Sequence, residues 1–258
     1  MPTAIISDIH GNAEALRTVL ADIDSRGIDR IICLGDIVGY GPQPLECVDL
    51  VAERCAWSLI GNHDFAVLYE PTNFNPGAEQ AAFWTRDQFD AEPDEALRAK
   101  RYEFLGRLRV RVVESAPGTE TPVLAVHGSP RRPINEYIFP DDVMTAVDKM
   151  RQIFDQIDRY AVVGHSHVPG VFTDEPDFYP PGELGSLTYT FSDDEKAIIN
   201  VGSVGQPRDH DPRASYAIMH SDRIEFVRLE YNVRATADMI YKIESLSDWL
   251  GDRLLEGR

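Results

Sequence analysis

Five short stretches place cation-binding side chains directly behind apolar, strand-like runs. They are Asp8-Ile9-His10-Gly11-Asn12, Gly35-Asp36, Gly61-Asn62-His63-Asp64, His127-Gly128 and Gly164-His165-Ser166-His167, and they hold five of the seven histidines. In an open α/β sheet, ligands bind in the crevice beyond the carboxyl ends of the strands. Five strand ends would therefore deliver Asp, His and Asn to one rim. The glycine in each stretch suits a backbone that turns sharply or approaches an ion closely. Imidazole, carboxylate and amide oxygen without thiolate favour a borderline divalent ion such as Mn, Fe, Zn or Co over Mg or Ca. Asp8 and His10 are alternate residues leaving a strand, so a bend would bring both to one ion; His165 and His167 share that spacing. The candidate ligands outnumber what one tetrahedral or octahedral ion takes from protein while leaving room for substrate. Two ions sharing a carboxylate would use them all.

The elements that must position these residues follow from periodicity. Thr3 to Ser7, Arg30 to Leu34 and Ala56 to Ile60 read as strands, and Ala13 to Arg26 as a helix with Leu16, Leu20 and Ile23 on one face. A further helix starts near Pro44, and residues 77–107 carry a helical pattern interrupted at Pro93. Val110 to Glu114, Val123 to Val126 and Tyr160 to Val163 have strand character, with a helix expected over Asp141 to Ile157. Beyond this the texture changes: strand-like runs at 187–191, 197–201, 214–219 and 224–229 are separated by turns, as in an antiparallel sheet. Residues 174–187 read as a Pro/Gly-rich surface loop, and Thr236 to Leu255 as one amphipathic helix. An α/β half feeding a β-rich half, with no linker, predicts two packed sheets with outer helices.

Composition narrows the functions. Lys+Arg 25 against Asp+Glu 43 leaves a net charge of −18, which opposes a broad nucleic-acid-binding face. It does not oppose a small anionic substrate at a metal centre, where local charge outweighs net charge. Cys33, Cys47 and Cys55 are odd in number and lack C-x-x-C spacing, the pattern of a reducing compartment. The opening residues carry no basic flank before a very short apolar stretch, and no apolar run approaches a membrane span. A cytoplasmic, soluble chain is expected.

Asp8-x-His10, Gly35-Asp36, Gly61-Asn62-His63-Asp64, His127 and Gly164-His165-x-His167 resemble, in order and spacing, the five motifs of the calcineurin-like metallophosphoesterases. DIHGN, GDIVGYGP, HGSP, GHSHVP and NVGSVGQPRD look like the compact bacterial and archaeal branch, with its phosphodiesterases and serine/threonine-phosphatase-like members. The resemblance implies a four-layer αββα sandwich of two mixed β-sheets, here a single domain over 1–258 with a helical insert at about 71–107. It implies two divalent metal ions: Asp8, His10 and His167 would hold the first, Asn62, His127 and His165 the second, and Asp36 would bridge them. A water or hydroxide between the ions would attack phosphorus in line, and His63 would protonate the leaving group. Asp64 would either orient His63 or cap the next segment.

The eukaryotic-type protein phosphatases that resemble this family carry an Asp and an Arg where Ile37-Val38-Gly39-Tyr40-Gly41 runs here. The acid that pairs with the catalytic imidazole is therefore missing, which weakens a transfer of phosphoprotein specificity. Tyr40, Arg131, Arg132 and Arg208 lie next to motif residues as candidate substrate contacts, since an Arg takes a phosphate bidentately. Phe74, Phe83 and Trp84 could stack a base, although aromatics at helical spacing usually belong to a core; Asn200 is expected to shape its loop, with His210 and His220 as bystanders. The expected partner is a small phosphorylated substrate, a nucleotide or a phosphoprotein, without stable nucleic-acid binding and without a membrane. Relatives that lose ligands serve as scaffolds, so a non-catalytic metal-stabilised module is the alternative, and a nuclease of the same superfamily a third reading. Every ligand position is intact here.

Overall fold

The central strands are apolar on both faces, and this decides the layering. In Thr3–Ile6 (β1), Ala4 and Ile6 enter one core and Ile5 another; in Arg30–Cys33 (β2), Ile31 and Cys33 part from Ile32 in the same way. Pro122–Val126 and Tyr160–Val163 divide likewise, Val123, Ala125 and Val162 facing inward and Leu124, Val126 and Val163 outward. Successive side chains of a strand point to opposite faces, so each sheet must be covered twice. The computed structural model, which describes residues 1–258, meets this demand with two sheets packed face to face and helices outside both.

The remaining strands are Trp57–Ser58 (β3), Arg111–Ser115 (β4), Gly170–Thr173 (β7), Asp177–Tyr179 (β8), Thr188–Thr190 (β9), Ala197–Asn200 (β10), Ala214–Met219 (β11) and Arg223–Leu229 (β12), with Pro122–Val126 as β5 and Tyr160–Val163 as β6. One sheet has the order β3-β2-β1-β11-β12-β9 and the other β4-β5-β6-β10-β7-β8. Within each, three strands run parallel, β1 with β2 and β3 in the first and β5 with β6 and β10 in the second; the rest are antiparallel. The helices are Ala13–Ser25 (α1), Pro44–Arg54 (α2), Asn62–Leu68 (α3), Pro76–Asp90 (α4), Glu95–Gly106 (α5), Asp142–Thr145 (α6), Val147–Phe154 (α7), Val233–Ile240 (α8) and Trp249–Glu256 (α9). None is long and apolar enough to cross a membrane.

Four expectations change. The β-rich half is not a sheet of its own: β11, β12 and β9 extend the first sheet, while β10, β7 and β8 extend the second. The loop at 174–187 contains β8, held to β7 by the directly opposed pair Phe172 and Phe178, whose rings lie 4.7 Å apart. The helix expected over Asp141 to Ile157 breaks at Ala146, where φ is −137° and ψ 46°. The closing helix is two helices, because Ile243 and Leu246 between them fold into the same apolar cluster as Ile240, Leu250 and Leu254. That turn brings α9 back against Tyr40.

The loops beyond the parallel strands are stitched to one another through the backbone. Asp8 N donates to Gly35 O (3.0 Å), Gly164 N to His127 O (2.9 Å) and Gly205 N to Asp8 O (3.0 Å). Buried Asn12 is the main side-chain tie: its Oδ1 accepts from Ala15 N at the start of α1 and from Thr236 Oγ1, and its Nδ2 donates to Gly205 O and the Tyr231 hydroxyl. Loss of such a cap costs ~1 kcal/mol and a buried unsatisfied group ~1–3. Asn12→Ala is expected to lower stability by about 2–4 kcal/mol, read from the urea midpoint at constant m-value.

Candidate metal centre

The five strand-end stretches converge on one buried cluster. Asp8, His10, Asp36 and His167 bring ligand atoms within 4.8 Å of one another, and so do Asp36, His127 and His165. The two groups share Asp36, whose Oδ2 lies 3.5 Å from His10 Nε2 and 3.4 Å from His127 Nε2. Asp8 Oδ1 stands 3.2 Å from His167 Nε2, and Asn62 Oδ1 3.3 Å from His127 Nε2. All seven side chains are buried, Asn62 being the most exposed at 8%.

Backbone conformation makes the convergence possible. Asp8, His10, Asp36, Tyr40, His165 and His167 all have positive φ, between 48° and 66°. For residues with a side chain this left-handed region is sparsely populated. It turns each Asp-x-His and His-x-His pair out of the strand alternation. His10 and His167 consequently meet in one group, while His165 joins His127 in the other. Gly61 must lack a side chain, since a Cβ there would lie 2.0 Å from Asp36 Oδ1.

The donor set fits divalent ions. His10, His127 and His167 each point Nδ1 at a backbone carbonyl, of Val38 (3.2 Å), Leu34 (2.9 Å) and Gln206 (2.6 Å). A carbonyl accepts only, so each Nδ1 carries a proton and Nε2 is the ring atom turned into the cluster, the arrangement seen in ligating histidines. His10 Nε2 and His167 Nε2 then face each other at 3.2 Å, as do His127 Nε2 and His165 Nδ1. Ring nitrogens opposed at such distances call for a cation between them, a proton on one of them or a metal ion.

Burial and mutual charge shift these groups strongly. Burial would raise the carboxylates, but His167 holds Asp8 below its ordinary range, and His127, His63 and His10 hold Asp36 well below it. Burial pushes His10 and His167 down, and His165 to about 3. His127 goes the other way: burial opposes it, yet Asp36 and Asp8 raise it to about 9.

His63 sits beside the cluster among aromatic rings, 4.3 Å from Tyr40, 4.6 Å from Phe74 and 4.8 Å from His10. Its Nδ1 is buried without a partner. A Cβ on Gly39 would fall 2.4 Å from that nitrogen, so the ring occupies the space that a side chain at position 39 would fill. Burial, with Arg208 nearby, lowers its pKa to about 4.

Two expectations are resolved. Asp64 does not touch His63: its Oδ1 accepts from Ile37 N (2.9 Å) and Val38 N (3.2 Å) and its Oδ2 from Gly61 N (3.0 Å). It caps α3 and pins the Asp36 loop, the second of the two roles expected for it; burial and Asp36 raise its pKa. Arg131 spends its guanidinium on Glu136 and Gln152 within its own neighbourhood, which leaves no fork for a substrate, and Arg132 is exposed. Asn200 shapes its loop as expected, bonding Gly164 O, Ser166 Oγ and Gly202 N. Phe83 is exposed, Trp84 packs beside Tyr40, and His220 faces Glu225. Sequence reading missed Tyr137, stacked on His165 at 3.7 Å, and Arg253, 5.9 Å from the Tyr40 ring. Neither stands in a motif, so no local signal could have found them.

With His127 protonated at neutral pH, cation binding must displace that proton. Titration of metal-free protein with Mn²⁺ at pH 7 is expected to release about one proton, read calorimetrically from the dependence on buffer ionisation enthalpy. Below its folded-state pKa of about 9 His127 must lose a proton to bind, so affinity rises with pH up to that value and then levels off.

A crystal structure of a metallophosphoesterase from Sphaerobacter thermophilus is 37% identical and superposes with a TM-score of 0.81, covering 100% of this chain and 99% of that one. An uncharacterized protein of Methanocaldococcus jannaschii is 40% identical over 260 residues, 99% of this chain and 98% of its own length. A hypothetical protein from Pyrococcus horikoshii, 18% identical with a TM-score of 0.74 over 100% of this chain and 98% of that one, shares the fold. Residues 1–223 match the calcineurin-like phosphoesterase superfamily domain, and with its buried Asp/His cluster at the shared strand ends the chain belongs to that superfamily.

Proposed function

We propose that the chain is a metal-dependent phosphoesterase that hydrolyses phosphate monoesters or diesters at a pair of divalent ions. The observation that carries this reading is the Asp36 carboxylate, set between two groups of donors with the unpartnered His63 imidazole alongside. Asp8, His10 and His167 would hold one ion and Asn62, His127 and His165 the other, with Asp36 common to both. When bound, such ions supply Lewis acidity and a nucleophile at neutral pH, lowering the pKa of a water from 15.7 to about 7.

The protein's own contribution is position and proton supply. The Nδ1–H bonds of His10, His127 and His167 fix their rings before substrate arrives. His63 faces the departing oxygen as general acid, for which it must be protonated. In the free protein burial and then Arg208 oppose that charge, against the favourable Asp36 carboxylate. A phosphate anion beside Arg208 offsets the guanidinium, so His63 gains its proton as substrate binds. Tyr40 and Arg208 border the same space as substrate contacts.

The entrance favours small substrates. A cavity of 140 Å³ lined by Asn62, Asn73, Phe74, Asn135, Tyr137 and His165 opens onto the centre. A small phosphorylated compound, nucleotides included, suits it better than a segment of folded phosphoprotein. The three unpaired cysteines support a cytoplasmic setting.

Nitrophenyl phosphate and its bis-ester are expected to release nitrophenol with Mn²⁺ present and to stop doing so with chelator. Activity untouched by chelation would sink the reading. His63→Ala should retain full metal stoichiometry and lose about 10²–10⁴-fold in kcat, the more so for poor leaving groups. Loss of metal from that variant would show that His63 is a ligand and not the acid.

A further inference from the structure

Two guanidiniums at the rim have no side-chain carboxylate to pair with. Arg208, in the loop after β10, donates through Nη2 to Gln206 Oε1 (2.8 Å), while its Nε is buried without a partner. Arg253, on α9, donates through Nε to the Arg258 main-chain oxygen (2.6 Å) and is only 8% exposed. Both lie 5.9 Å from the centroid of Tyr40, the ring that packs on His63 and His10. Most other arginines of this acidic chain, Arg17, Arg26, Arg101 and Arg213 among them, hold carboxylates, whereas Arg86 and Arg98 bond main-chain carbonyls alone.

Burying a cation without a counter-charge is unfavourable, and two side by side also repel. Burial, followed by Arg208, pulls Arg253 down to about 10. The Tyr40 and Tyr137 phenols lie near these guanidiniums, and with Gln206 Oε1 and the Arg258 oxygen they supply acceptors but no side-chain carboxylate. Guanidinium forks match the paired oxygens of phosphate or carboxylate.

We propose that Arg208 and Arg253 form a subsite for a second anionic group of the substrate, next to the phosphoryl group that is hydrolysed. The proposal rests on the phosphoesterase reading and narrows it: the substrate is a small molecule with two oxyanions, a bisphosphate, a phosphoanhydride or a phosphorylated acid, and not the ester of a neutral alcohol.

The test compares methylphosphonate, phosphonoacetate and methylenediphosphonate as inhibitors of nitrophenyl phosphate hydrolysis by the Mn²⁺-loaded protein. At least one of the two-anion compounds is expected to bind about tenfold or more tightly than methylphosphonate, the scale of one charge-assisted bidentate contact. The tighter of the two identifies the second group as phosphate or carboxylate. That preference should fall to near parity in Arg208→Met and Arg253→Met and return in part in Arg253→Lys. A second readout avoids metal altogether: methylenediphosphonate should raise the unfolding midpoint of metal-free wild type and leave both Met variants unmoved. Parity among the three inhibitors in wild type, or a preference that survives in both Met variants, overturns the proposal. Should Arg253→Met fail to fold, Arg208→Met and Arg253→Lys decide it. If wild type hydrolyses no nitrophenyl phosphate, the phosphoesterase reading is what falls, and the metal-free midpoint still decides the subsite.

Discussion

The burial of one carboxylate, Asp36, organises the rim. Its Oδ1 is held by His63 N at 2.8 Å, and its Oδ2 lies within 3.5 Å of imidazoles from both donor groups. A buried carboxylate is tolerated only when paired or hydrogen-bonded. Here the compensation comes from two sides at once. Gly61 has no side chain because Asp36 occupies that volume, and Asp64 ties the Asp36 loop to the start of α3 through the N–H groups of Ile37, Val38 and Gly61. Displacing Asp36 would therefore disturb His63, both donor groups and the entry to α3 together.

The same demand explains the unusual backbone. Each non-glycine residue in the left-handed region costs of order 1–3 kcal/mol when held there. Six such residues stand at or beside this centre: Asp8, His10, Asp36, Tyr40, His165 and His167. The three apolar layers bear that cost. They fix the parallel strands on both faces, and the loop-to-loop hydrogen bonds then leave the strand ends little freedom. The result is a set of donors preorganised before any ion arrives, with ring nitrogens aimed at one another.

His63 is positioned differently from its neighbours. It has no acidic partner, and the position that could supply one is Gly39. Tyr40, Phe74 and His10 hold the ring by packing alone. Burial opposes its charge, Asp36 favours it and Arg208 opposes it. In the proposed reaction, substrate charge and proton availability are coupled through His63 and Arg208, two residues that lie far apart in the chain.

Which side chains reach the rim was legible in the sequence, because strand-then-ligand order is a local property. Period-two apolar runs mark the strands, and the residue types that follow them mark the chemistry. Two packed sheets with outer helices followed from an α/β half feeding a β-rich half, and the family resemblance implied the four-layer sandwich; runs such as Ala4-Ile5-Ile6, with no polar face to give to water, supply its physical reason. Spacing alone would send His165 and His167 to one ion and the family resemblance divides them between two, but only the tertiary structure supplies the means, left-handed φ values at both residues. It also settled Asp64, whose acceptors' partners at Ile37 and Val38 lie on another strand end, and Arg131, claimed by Glu136. The break after α8 shows the limit most clearly. Helical periodicity runs through it, but burial of Ile243 and Leu246 folds the chain back and carries Arg253 to Tyr40. Such contacts are set by what the core must cover, which no local pattern encodes.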